Sequence, residues 1–249
     1  MRENRLRAIA MAIGLFIILT LPAFVQAELV WSDSFDDGTI PEEWTTNGMC
    51  CADDHCLRGT EEFAKAWKES SIESGTWKFD VIDIDEWTIQ PDPIRTPSLN
   101  VRFMGTDPDV SPATYYEISI GFAVIEDIEK YTYTLTKKSE DDQMAATLVS
   151  YDGTLESSAG TVHHLAVTRT AGGQMSVFLN GSLTPILQAS DNELATAEYF
   201  YVEFWHDFAV DNIEVYDTIE VGELPIVWIA IGAGGVLAVV VIVVYLKRR

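Results

Sequence analysis

Turn residues interrupt this chain at short, regular intervals, and between them lie runs in which apolar and polar side chains alternate. That period of two restricts the fold more than any other feature. Candidate strands cover 29–35, 77–84, 86–90, 99–104, 114–125, 130–138, 144–151, 162–170, 174–180, 199–206 and 208–216. They are rich in Val, Ile, Tyr, Thr, Phe and Trp, which suit a pleated, half-buried surface. Many short strands with little between them predict an all-β domain, an antiparallel two-sheet sandwich or jelly roll, spanning 28–220.

The clearest unit is "HHLAVTRTAGGQMSVFLNGSL", residues 163–183. Two alternating runs flank Gly172-Gly173, and the second ends in Asn180-Gly181, a dipeptide suited to tight turns. One segment breaks the pattern: in "TEEFAKAWKES" Phe63, Ala66, Trp67 and Ser70 share a helical face behind a Thr60 cap, which predicts one short helix.

The ends of the chain read differently. Arg2, Arg5 and Arg7, an apolar run from Ala8 to Leu21 and the small-residue ending Val25-Gln26-Ala27 have the layout of a signal peptide over 1–27. Residues 225–246 contain a 21-residue uncharged run, Ile226 to Leu246, long enough to span a bilayer as a helix, and 247–249 are Lys-Arg-Arg. Basic residues stay on the cytoplasmic side, so the expected topology is a single-pass type I cell-membrane protein with its β domain outside. Ala230, Gly234 and Ala238 lie along one face of that helix and could bring two copies together.

Residues 28–224 carry 10 Lys and Arg against 38 Asp and Glu. Such a surface repels nucleic acid and phosphate-rich partners.

The landmarks "SDSFDDGTIPEEWTTNG", "GTWKF", the hairpin above and the closing "FAVDNIEVYD" occur in an order that resembles the concanavalin A-like lectin/glucanase superfamily, in particular its laminin-G-like members. The resemblance implies a jelly-roll sandwich with its first and last strands adjacent, and residues 48–74 look like an insertion relative to it. It implies a binding module for a glycan or a surface protein, displayed for recognition or adhesion. A structural envelope protein without a small ligand is the alternative. Glycan-hydrolysing members carry E-x-D-x-x-E on one strand; in "YYEISIGF" Ser119 stands at the Asp position, so no catalytic residue is assigned.

Strand alternation turns Tyr116, Ile118, Ile120, Phe122 and Val124 to one face and Tyr115, Glu117 and Ser119 to the other. Likewise Phe200, Val202 and Phe204 face the core, leaving Tyr199, Tyr201, Glu203 and Trp205 outward. If both strands share a sheet, Tyr115, Glu117, Tyr199, Tyr201, Glu203 and Trp205 form a glycan platform, rings against sugar faces and carboxylates against hydroxyls. The bland reading is that these side chains merely cover the sheet. A hydrolase reading needs Glu117 and Glu203 roughly 5–9 Å apart.

Some members of the superfamily hold a structural Ca²⁺ between first and last strands, which the resemblance maps to Asp33, Asp36, Asp37 and Asp211. Asn180-Gly181-Ser182 is a glycosylation sequon. The only cysteines, Cys50, Cys51 and Cys56, sit in "CCADDHC"; outside the cell they predict a disulfide from Cys56 to Cys50 or Cys51, rather than a metal site. The third thiol could then join a homodimer.

Overall fold

The computed structural model describes residues 27–47, 50–52, 55–60, 64–84, 98–106, 113–125, 128–139, 144–156, 160–205 and 208–219. The expected strand 86–90, the transmembrane span 225–246, the tail 247–249 and all but the last residue of the signal peptide lie outside them. The described residues form two antiparallel sheets. In chain-order numbering, one sheet runs β13 (Leu187–Ser190), β12 (Gln174–Leu179), β11 (Val162–Arg169), β6 (Gly75–Asp83), β15 (Phe208–Tyr216), β4 (Leu57–Gly59) and β3 (Cys50–Cys51), with β1 (Leu29–Asp33) also on β15. The second runs β10 (Ala146–Glu156), β9 (Ile128–Lys138), β8 (Tyr115–Ile125), β7 (Ser98–Gly105), β14 (Tyr199–Trp205), β5 (Ala64–Glu69) and β2 (Trp44–Thr46).

The first and last strands are neighbours, as expected: Ser32 opposes Glu214 and Asp33 opposes Ile213. The alternation that defines the strands also builds the core. Trp77, Phe79 and Val81 on β6 meet Val101 and Phe103 on β7, Tyr116, Ile118 and Ile120 on β8, and Phe200, Val202 and Phe204 on β14, all at most 1% exposed. Trp77 and Phe103 rings lie 5.1 Å apart, tying one sheet to the other.

No helix forms among the described residues, and of the expected helix the stretch Ala64–Glu69 is β5 instead, while 61–63 lie outside the described residues. Ala64 and Ala66 face the core, and Trp67 turns the other way toward Tyr201, with ring centroids 6.3 Å apart. The period of two was disguised because Lys68 also faces inward, its amine 2.9 Å from Asp33 and over the Trp31 ring. A short helix is marginal in isolation, whereas this segment gains ladder bonds from β14 on one edge and β2 on the other. Within 48–74 the described residues supply β3, β4 and β5, so this stretch belongs to both sheets.

The β11–β12 hairpin closes through Thr170 to Gly173, whose amide donates to the Thr170 carbonyl at 2.9 Å. Gly173 has φ 75° and packs against Asp191 and Asn192, a position where a side chain would be strained and blocked. His163 and His164 point to opposite faces: His163 is fully buried, and the His164 side chain is largely exposed.

Candidate functional site

The strands carrying the expected platform do share a sheet, but a third strand lies between them: the order is β8, β7, β14. Register then sets the chemistry. Arg102 on β7 stands opposite Glu117 on one side and Tyr201 on the other, while Asn100 stands opposite Ser119 and Glu203. The face away from the core therefore carries two rows across the sheet. One reads Thr136, Glu117, Arg102, Tyr201, Trp67, and the next Thr134, Ser119, Asn100, Glu203, Lys65.

Arg102 is the centre of this face. Its Nε donates to Glu117 Oε2 at 2.8 Å and its Nη2 to Glu203 Oε2 at 3.2 Å, so one guanidinium clamps both carboxylates. Tyr115 and Tyr201 rings cover its two sides, 4.0 and 4.2 Å from Cζ to the ring centroids. A desolvated guanidinium over an aromatic ring is worth up to about 2 kcal/mol. The Tyr201 hydroxyl donates to Glu203 Oε2 at 3.0 Å, and Ser119 donates to the other oxygen of Glu117 at 3.2 Å.

These groups are packed tightly: Tyr201 is 2%, Glu117 6%, Tyr115 9% and Glu203 9% exposed. Burial raises the pKa of Glu117, against the pull of Arg102. Burial also raises those of Tyr115 and Tyr201, with nearby carboxylates adding to it. For Arg102, desolvation is outweighed by its negative neighbours, so its pKa rises and it stays charged. The face is thus tightly packed, with both carboxylates held on one guanidinium. The sequence reading named four of its members and missed Arg102; alternation within 98–105 did mark Asn100 and Arg102 as outward, but nothing local says which strands flank them.

The other two platform residues stand apart. Tyr199 lies one row over, opposite Gly105 and Glu69, and the Trp205 side chain lies outside the described part. Tyr199 borders an edge cavity of about 520 Å³ lined also by Val30, Trp31, Ser70 and Glu198.

Three of the four proposed calcium ligands, Asp33, Asp36 and Asp37, border one open cavity of about 430 Å³ beside Asn212. Asp33 turns to Lys68 and to the Trp44 indole, each at 2.9 Å, and Asp37 accepts from the amide and hydroxyl of Thr39 in its own turn. Among the described residues no group of three or more His, Cys, Asp or Glu is arranged to hold a metal ion. Asp211 and Asp36 are close, and Asp211 Oδ1 is buried without a hydrogen-bond partner. Burial, then Asp36 and Asp80, push its pKa up, partly offset by the Asn212 amide. Removing that charge with Asp211→Asn is expected to raise the melting temperature slightly, by less than about 2 °C because solvent screens the group, in calcium and in chelator alike. A loss of stability seen only with calcium present would instead reveal a cation there.

No disulfide joins Cys50 to Cys56, which removes one of the two expected pairings. The Cys50 thiol donates to the Lys65 carbonyl at 3.3 Å, fixing it beside β5. The Cys51 side chain lies outside the described part. Asn180 sits exposed at the end of β12.

No protein-family model matches this chain, and no curated protein does. Solved structures do. The exoplasmic/lumenal domain of VIP36, in its Ca²⁺/Man-bound form, aligns with TM-score 0.55 at 10% identity over 76% of this chain and 91% of that one. A Bacillus subtilis protein of unknown function with a galectin-like fold gives 0.50 at 12% identity over 77% and 98%. The Emp46p carbohydrate recognition domain gives 0.51 at 10% identity over 78% and 99%. At these identities the likeness is one of fold: this chain folds as the jelly-roll sandwich that galectin-like and carbohydrate-recognition domains share.

Proposed function

We propose that this chain is a laminin-G-like binding module, anchored by its C-terminal apolar segment and displayed outside the cell, that holds glycans non-covalently on the outer face of its seven-stranded sheet. The observation that carries this reading is the Arg102 clamp. It fixes two carboxylates and two tyrosines in one orientation before any ligand arrives, which lowers the ordering cost of binding. Beside it the row Thr134, Ser119, Asn100 and Lys65 is half-exposed, and such groups exchange hydrogen bonds with sugar hydroxyls. Structures of similar fold hold mannose, as in VIP36, or are themselves carbohydrate recognition domains, as in Emp46p.

The same clamp argues against hydrolysis. Glu117 and Glu203 each give an oxygen to one guanidinium, and Ser119 and Tyr201 engage them further. Neither is left to protonate a leaving group or activate water. A surface protein remains the alternative ligand for the same face.

A broad glycan array probed with the full chain in detergent tests this. We expect a restricted set of glycans to be retained, with affinity falling at least about tenfold in Asn100→Ala at unchanged melting temperature and in Ser119→Ala with a small loss of stability, because Ser119 also bonds Glu117. An empty array, or binding indifferent to both changes, would remove this face as the site.

A further inference from the structure

The opposite sheet carries an open cleft of about 560 Å³ on its outer face, a size typical of small-ligand sites. Its lining includes Ala166, the apolar side chains of Phe178, Leu183 and Ile219, and the polar pair His164 and Asp80. Leu183 is 69% exposed and Ile219 37%, unusual for side chains that border a concavity. Its polar groups are engaged: His164 Nδ1 lies 2.6 Å from Asp80, which also accepts from Asn212 at 3.0 Å, and Lys78 Nζ lies 4.0 Å from Glu214 and over the Tyr216 ring. A neutral molecule with one apolar face fits such a surface better than an ion.

Asn180 heads the only Asn-x-Ser/Thr triplet in the sequence, and the two residues after it, Gly181 and Ser182, line this cleft. Asn180 comes directly after Leu179, the last residue of β12, and its carboxamide is held by the backbone of His164, a residue of the cleft lining. Asn180 (φ 52°) and Gly181 (φ 69°) bend the chain there, and Gly181, which lines the cleft, has open space where a side chain would be. The Asn180 Oδ1 accepts from the His164 amide at 3.0 Å, which orients the carboxamide and leaves Nδ2 for substitution.

We propose that Asn180 carries an N-linked glycan whose first N-acetylhexosamine is seated in this cleft against Phe178. The bond forms between Nδ2 and the anomeric carbon of a lipid-diphosphate-linked oligosaccharide. The carbon–oxygen bond to the diphosphate breaks, and the Nδ2 proton leaves with that group. The ring's apolar face then covers Phe178 and Leu183, while its hydroxyls and acetamido group meet His164 and Ser182. This rests on export of the domain and is independent of the glycan-binding face on the other sheet.

The test expresses the full chain in a glycosylating eukaryotic cell line, beside an Ala145→Asn variant that creates an exposed control sequon with Thr147. Mass spectrometry is expected to find both Asn180 and the control site modified. Asn180 bare beside a modified control overturns the attachment, and both bare overturns export and the proposal with it. For the seating, Asn180→Gln is expected to lower the melting temperature by about 2–4 °C. Phe178→Ala should lower it further by a similar margin in the glycosylated chain than in the Asn180→Gln background. Equal effects of Phe178→Ala in both backgrounds would show that the sugar does not rest there.

Discussion

Replacing Arg102 with methionine is expected to destabilise the domain by roughly 3–5 kcal/mol, the usual result of removing one partner from a buried ion network. Methionine keeps much of the stem that packs between Tyr115 and Tyr201, so lost volume is a small part of the effect. The larger part is electrostatic. Glu117 and Glu203, at most 9% exposed, would face each other with no cation between them. Urea unfolding should show a lower midpoint with the slope unchanged. Adding Glu117→Gln and Glu203→Gln to Arg102→Met should recover much of the loss, because the repelling charges go too. A single-site loss below about 1 kcal/mol would mean that the triad is effectively solvated, since exposed pairs are worth no more than that.

Acid should weaken the fold through His163. This ring is fully buried, stacked edge-on against Tyr131 at 4.1 Å between centroids, with Nδ1 2.9 Å from the Tyr133 hydroxyl. Nε2 has no hydrogen-bond partner, and the Tyr131 hydroxyl donates to Asp83 Oδ2 at 2.8 Å. Burial, with a smaller push from His164, lowers the imidazole pKa from 6.5 to about 4. The unfolded chain therefore binds a proton that the folded chain refuses between those two values. Stability from the neutral ring is fully present above about pH 6.5 and is lost as pH falls toward 4, amounting to about 3 kcal/mol. The many carboxylates of this acidic chain shift stability over the same range, so the readout is the difference between wild type and His163→Gln. The variant should start less stable at pH 7 and lose less on acidification. Parallel curves for the two proteins would show that His163 does not titrate differently on folding.

Much of this was written in local pattern. Alternation placed Tyr116, Ile118, Ile120, Phe200, Val202 and Phe204 in the core and sent Tyr115, Glu117, Tyr201 and Glu203 outward, where they are found. The adjacency of first and last strands followed from the family resemblance and holds. What failed was whatever depends on distant partners. The segment 64–69 reads as helical because Lys68 occupies an inward position that only Asp33, 35 residues away in sequence, makes tolerable. Arg102 went unnoticed because its role requires β7 to insert between β8 and β14, a matter of strand order that no local spacing encodes. The pairing of β1 with β15 brings Asp33 and Asp211 to neighbouring strands, but no local pattern shows that Lys68 and the Trp44 indole engage Asp33.

The central claim is that the outer face of β8, β7 and β14 holds a glycan, and the most direct measurement is amide hydrogen exchange of the full chain with and without an array-identified glycan. Protection is expected to rise in 98–105, 115–121 and 199–204 while the opposite sheet is unchanged. Protection confined to β6, β11 and β12, or none at a glycan concentration that saturates binding, would contradict the account.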